Sequence, residues 1–205
     1  MRRLMALALG VGQLLALCLG LGLVAPAAAD DPGAQAAVAE PSGYRTEDYR
    51  AAVPATLQGA RVLSTREVEA LWRAGEAAFI DAMPQPPKPA NLPAGTVWRD
   101  RPRLDIPGSL WLPDTGYGQL AAATEDYLRD GLMRATGGNR ARLVVVYCQA
   151  NCWMSWNAAK RALGYGYSNV AWYPDGTDGW QAAHLPLLEA EPMPRLPQPA
   201  PAPAP

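Results

Sequence analysis

The sequence predicts an α/β domain built on a five-stranded, mainly parallel sheet. Short apolar runs alternate with segments of helical spacing along the middle of the chain, the pattern of successive strand and helix units. One of the runs, "LVVVY" at 143–147, is continuously apolar and rich in β-branched residues, as expected of a central parallel strand buried on both faces. No internal repeat is visible, so a solenoid or propeller is not indicated.

Each element can be justified in turn. "ARVLS" at 60–64 is the first strand, and Ser64 with Glu67 three residues later forms a capping box that opens a helix over "TREVEALWRAGE". "AAFIDAMP" is a second buried strand that ends on Asp81 and is stopped by Pro84. From Gln85 to Pro107 the chain is proline-rich and contains "WRDRPRLDIPG"; it reads as one long loop without an element of its own, and loops of this length are often functional. "SLWLP" at 109–113 is the third strand, and after the turn-like "DTGYG" the stretch "QLAAATEDYLRDGLMRA" has helical composition and spacing. "TGGNRAR" turns the chain into "LVVVY", the fourth strand. "WMSWNAAKRALG" at 153–164 follows as a helix with Gly164 or Gly166 available to stop it. "SNVAWYP" at 168–174 is the fifth strand, "DGTDGW" a glycine turn, and "QAAHLPLLE" a last short helix interrupted by Pro186.

The two ends of the 205-residue chain differ from this middle. Arg2 and Arg3 precede an apolar stretch from Leu4 to Val24, and Ala27-x-Ala29 suits cleavage before Asp30. Residues 1–29 therefore read as a secretory signal peptide, with an uncleaved membrane anchor as the alternative. Residues 30–56 read as an N-terminal extension, 57–188 as the folded domain, and 189–205, rich in proline and alanine, as a solvated polyproline-II tail. Cleavage removes two of the 18 basic side chains and none of the 19 acidic ones. The resulting net charge of about −3 gives no electrostatic reason to expect nucleic acid or an anionic membrane surface as partner.

Sites in parallel sheets form beyond the carboxyl ends of the strands, where Asp81 and Cys148 both fall. After Cys148 comes a tight loop of small and polar residues and then a helix. Backbone N–H groups of such a loop, here Gln149, Ala150, Asn151, Trp153 and Met154, converge on whatever anion it encloses. A Cys148 thiolate held there would have a lowered pKa and be nucleophilic near neutral pH.

Cys152 lies within the same loop, and the pair admits two readings. It is a structural staple, or it is a reversible couple in which Cys148 reacts and Cys152 resolves a mixed disulfide, sulfenic acid or persulfide. A metal site is disfavoured, because two thiolates and the single histidine, His184, fall short of a closed zinc set. His184 reads as a packing or surface residue. Asp81 is read as an anchor for the cysteine loop in preference to a proton acceptor for Cys152, since a nearby carboxylate raises a thiol pKa. Trp153, Trp156, Trp172 and Trp180 are candidates for an aromatic pocket or for core. "DGTDG" lacks the calcium-loop pattern.

The stretch "LVVVYCQANCWMSWNAAKRALGYGYSNVAWYPDGTDGW", with "AFIDAMP" and "LDIPGSLWLP" upstream, resembles the rhodanese-like domains over roughly residues 57–185. "CQANCWMSWNAAKRA" and "WYPDGTDGW" are similar to the signature of a subgroup associated with pyrroloquinoline quinone (PQQ) dependent catabolism, known by a CXXCW motif. The resemblance implies a single rhodanese-like domain with helices on both faces of the sheet and a bacterial periplasmic address. It also implies a protein client in a quinoprotein dehydrogenase or c-type cytochrome system, with no cofactor bound to this chain. Rhodanese loops generally carry an arginine, lysine or hydroxyl residue for the anionic sulfur donor, whereas residues 149–154 here are Gln, Ala, Asn, Cys, Trp and Met. Arg99, Arg101 and Arg103 in the long loop are candidates to supply that charge. The expected activity is thiol-disulfide exchange or persulfide transfer; the alternative is a binding module with a structural disulfide.

Overall fold

The computed structural model describes residues 38–99 and 101–195. The expected signal peptide, residues 30–37 and residues 196–205 lie outside the described residues.

Along the chain, β1 (Arg61–Val62) leads through Ser64 into α1 (Thr65–Ala74). The Ser64 N–H donates to the Glu67 carboxylate at 2.8 Å, so the capping box read from the sequence is formed. β2 (Ala78–Asp81) follows, then β3 (Arg103–Asp105), β4 (Leu110–Trp111) and α2 (Ala122–Thr136), which ends at a left-handed Gly137. β5 (Val144–Tyr147) passes through the cysteine loop into α3 (Trp153–Gly164). The chain closes with β6 (Val170–Tyr173), α4 (Gly176–Ala182) and β7 (Leu188–Ala190).

β1, β6, β5, β2 and β4 form one sheet in that order, every pair parallel, with β5 in the middle. The expected α/β architecture and the central position of "LVVVY" are therefore both observed. Side chains alternate across a strand, and both faces are covered. Ile80, Val144, Val146 and Trp172 pack under Leu128 and Leu132 of α2 and Trp156 and Ala159 of α3. Phe79, Val145, Tyr147 and Tyr173 pack on the other side with Val68 of α1 and Trp180 of α4.

Two segments differ from the sequence expectation. The long loop contains a strand after all: β3 pairs antiparallel with β7, Arg103 opposite Ala190 and Asp105 opposite Leu188. A three-residue strand between Pro102 and Pro107 has no periodicity to reveal it, and its partner is more than eighty residues away. The expected glycine turn and last helix are displaced. α4 begins within "DGTDGW", and the chain leaves it at His184, whose φ is +57°, before Leu188–Ala190 extends as a strand. Gly176 is required there on two grounds: its φ of +51° is left-handed, and a Cβ would lie 2.6 Å from Gln149 Cα.

The packed unit also extends beyond 57–188 on both sides. Residues 38–56 run as an irregular strap over α3. Lys160 Nζ donates to the Pro41 and Ser42 carbonyls, and Asn157 binds both the N–H and the C=O of Arg45. At the other end Met193 is buried in the core, and its N–H donates to Trp111 O at 2.9 Å.

Candidate functional site

β5 delivers Cys148 to the carboxyl edge of the sheet, and in register beside it β2 ends on Asp81, paired with Tyr147. The loop then turns through Asn151, whose φ of +52° is a left-handed value that asparagine tolerates. It returns Cys152 as the N-cap of α3. Cys148 and Cys152, four positions apart with Cα atoms 6.4 Å from each other, are joined in a disulfide. Cys148 is 0% and Cys152 2% exposed, and Tyr49, Met83 and Met154 pack around the pair.

The loop amides are already engaged. The Ala150 N–H donates to the Asp178 carboxylate at 3.2 Å, and the Trp153 N–H donates to the Tyr49 carbonyl at 3.0 Å. Gln149 bridges to Gly176 of α4, while Arg50 of the strap donates to the Ala150 carbonyl at 3.3 Å. Two of the five residues expected to form an anion cradle thus give their N–H groups to oxygens of this same chain. Met154 is in the first turn of α3 and buried against the disulfide.

The Cys148 carbonyl is a second convergence point. It accepts from the Thr177 N–H at 3.1 Å, from the Thr177 hydroxyl at 3.2 Å and from Arg103 Nη2 at 3.0 Å. Arg103 Nε in turn donates to Asp81 Oδ2 at 2.6 Å, and the other Asp81 oxygen accepts the Met83 N–H at 2.9 Å. Asp81 is thereby linked to the cysteine loop through Arg103. Of the three candidate arginines Arg103 bonds to Asp81 and the Cys148 carbonyl, while Arg101 is exposed on the wall of the neighbouring groove and Arg99 is exposed. No sequence signal separates Arg103 from Arg99 and Arg101, which occupy the same alternate positions; the strand that places Arg103 is set by its distant partner β7.

Asp105 adds a carboxylate that sequence reasoning missed. It is buried, and its Oδ2 has no hydrogen-bond partner among the described residues. Burial, reinforced by the charge of Asp81 and opposed by Arg103, pushes its pKa up to about 7. Burial likewise pushes Asp81 upward, against the pull of Arg103 and the Met83 N–H. Arg103 thus bonds one of the two carboxyls, Asp81, and acts on the other by charge alone.

The tryptophans belong to the core. Trp153, Trp156, Trp172 and Trp180 are buried, and their indole N–H groups donate to Ala52 O, Thr56 O, Ser155 Oγ and Pro186 O. His184 lies exposed beyond α4. Among the described residues no group of three or more His, Cys, Asp or Glu side chains is placed to hold a metal ion, and no helix is long and apolar enough to cross a membrane.

A groove of about 450 Å³ opens beside the disulfide. Its walls come from the two stems of the long loop, including Pro84 and Arg101, and from Gln149, Asp178 and Gln181 on the cysteine-loop side.

No curated protein matches the chain. Among solved structures it is similar to a thiosulfate sulfurtransferase from Pseudomonas aeruginosa, at 24% identity and a TM-score of 0.44, over 65% of this chain and 21% of that one. It is also similar to a polysulfide-sulfur transferase homodimer from Wolinella succinogenes, at 20% identity and a TM-score of 0.41, over 64% of this chain and 80% of that one. This chain thus spans about a fifth of the length of the Pseudomonas protein. The family model for the rhodanese-like domain matches residues 64–183, more than half of the sequence, and the chain belongs to the rhodanese-like domain family.

Proposed function

We propose that the chain is an exported thiol-disulfide exchange protein whose redox centre is the Cys148–Cys152 couple. One observation carries the reading: the cysteine at the tip of the central strand is bonded to a second cysteine inside its own loop, at the start of a helix. In the reduced protein a Cys148 thiolate attacks a client disulfide, giving a mixed disulfide and a client thiolate. Cys152 then attacks the Cys148 sulfur, releases the second client thiolate and reforms the internal bond. Two electrons move from this chain to the client, and the reverse sequence oxidises the client.

Exchange fits the loop better than transfer of an anionic sulfur donor. Residues 149–154 contain no cation, the Ala150 N–H already faces the Asp178 carboxylate, and the Trp153 N–H faces a carbonyl. A sulfur dianion brought there would meet a negative charge where a donor is needed. A persulfide on Cys148 remains the second reading, supported by family membership. A staple is the third, supported by burial of both sulfurs. Closing so short a loop stabilises the fold by only about 2 kcal/mol on chain-entropy grounds, less than half of the value for a 100-residue loop.

The client belongs, in this proposal, to the bacterial periplasm and to PQQ-dependent alcohol oxidation, as a quinoprotein dehydrogenase or c-type cytochrome component. The N-terminal segment and the likeness of "CQANCWMSWNAAKRA" to the CXXCW subgroup support that address. Thiol alkylation and mass spectrometry across a graded redox buffer test the activity. A midpoint well above about −300 mV is expected, and one far below it establishes a staple. Cyanolysis after incubation with thiosulfate is expected to release no thiocyanate; stoichiometric release favours the persulfide reading.

A further inference from the structure

We propose that Met83 gates the disulfide, so that a client thiol approaches from the groove and opens the bond at the Cys148 sulfur. The inference rests on the exchange reading and adds a route and a regiochemistry to it.

Three side chains pack around the pair, and they differ in freedom to move. Met154 is buried in the first turn of α3. Tyr49 is held at several points: its carbonyl accepts the Trp153 N–H, its hydroxyl accepts the Gly118 N–H at 3.0 Å, and its ring meets Tyr117 edge-on at 5.3 Å. Met83 is different. Its backbone is clamped, the N–H on Asp81 Oδ1 and the carbonyl under Trp111 Nε1 at 2.7 Å. Its Sδ lies 3.4 Å from Cys148 Sγ, and the same residue lines the groove. An unbranched thioether with three rotatable bonds moves aside without backbone displacement. Of the apolar residues packed on the pair, Met83 is thus the one that also lines the groove, and it is a flexible side chain on a fixed hinge.

The leaving group selects the same sulfur. As the client thiolate bonds to Cys148 Sγ, the Cys148–Cys152 bond breaks and its electron pair departs with the Cys152 sulfur. The products are a client–Cys148 mixed disulfide and a Cys152 thiolate, with charge and electrons conserved. Cys152 is the N-cap of α3, so the new anion forms at the positive end of a helix of 12 residues. A stabilised leaving thiolate departs faster.

The test uses the full mature chain, reduced glutathione as the thiol probe, and Met83→Ala, Met83→Val and Met83→Leu variants. Met83→Ala is expected to raise the second-order rate of disulfide opening by roughly tenfold, as an access fraction of about one tenth would dictate. The midpoint potential of the couple is expected to stay unchanged. Met83→Val should fall between, and Met83→Leu, which refills the space, should keep the slow rate. Acid quenching, alkylation and peptide mapping should place glutathione on Cys148 and the alkyl group on Cys152. Glutathione found on Cys152 overturns the proposal, as does a rate that follows the potential, which would make Met83 a mere stabiliser of the oxidised state. A reducible pair indifferent to Met83 overturns the gate alone, whereas a pair that glutathione never reduces in the folded protein overturns the exchange reading with it.

Discussion

Two irregular segments flank the disulfide, the strap at 38–56 and the long loop between β2 and β3, and they are held in opposite ways. The strap binds along its length: its carbonyls accept from Lys160, Trp153, Trp156 and Asn157, so it substitutes for a missing element over α3. The long loop is fastened at its stems by Trp111 on the Met83 carbonyl, by the Gln85 N–H on Asp114 and by Arg103 on Asp81, and Val97 in its crown is 81% exposed. Absence of secondary structure therefore does not rank two segments by rigidity. The hydrogen-bond partners of the backbone do.

Mutations in the two segments and their fastenings should differ in cost. The largest effect is expected for Arg103→Ala, which leaves the buried Asp81 carboxylate uncompensated and frees one stem; urea denaturation should show a loss of about 3–5 kcal/mol. Asn157→Ala removes the side chain that binds the strap through Arg45 and also reaches the Gly116 carbonyl. A loss of about 2–3 kcal/mol and faster proteolysis within 38–56 should follow. Asp105→Asn probes the base of the loop through pH. The folded carboxyl keeps its proton up to about 7 while the unfolded one releases it near 3.8. The folded state therefore holds more protons across that window, and this stabilisation is lost as pH rises through 7. Thermal melts of the natural protein should fall from pH 5 to pH 8, and those of the variant should fall less. The smallest effect belongs to the crown: Val97→Ser should change stability by no more than about 0.5 kcal/mol. A larger change would show that the crown is packed like the strap.

The sheet was legible because its signals are local. "LVVVY" and "VAWY" are apolar on both faces, Ser64 and Glu67 mark a helix start, and the cysteines declare themselves by type and spacing. What was hidden depends on residues far apart in sequence. β3 exists because β7 returns to it, Asp105 becomes a perturbed carboxyl only when the fold buries it and brings Asp81 near, and the close approach of Gln149 to Gly176 appears only once both are placed. Met83 offered no sequence signal beyond its place after Asp81. The strap was similarly silent, since carbonyl acceptors carry no side-chain code.

The strap has a practical corollary for anyone preparing the protein. A polypeptide trimmed to the matched stretch, 64–183, would strip the cover from Trp153 and Trp156, leave their indole N–H groups without Ala52 and Thr56, and uncap the first amide of the helix behind the disulfide. Two bared aromatic faces on one helix invite self-association. Recombinant versions of this chain should therefore retain Val38, which packs against the core, and the strap that follows it.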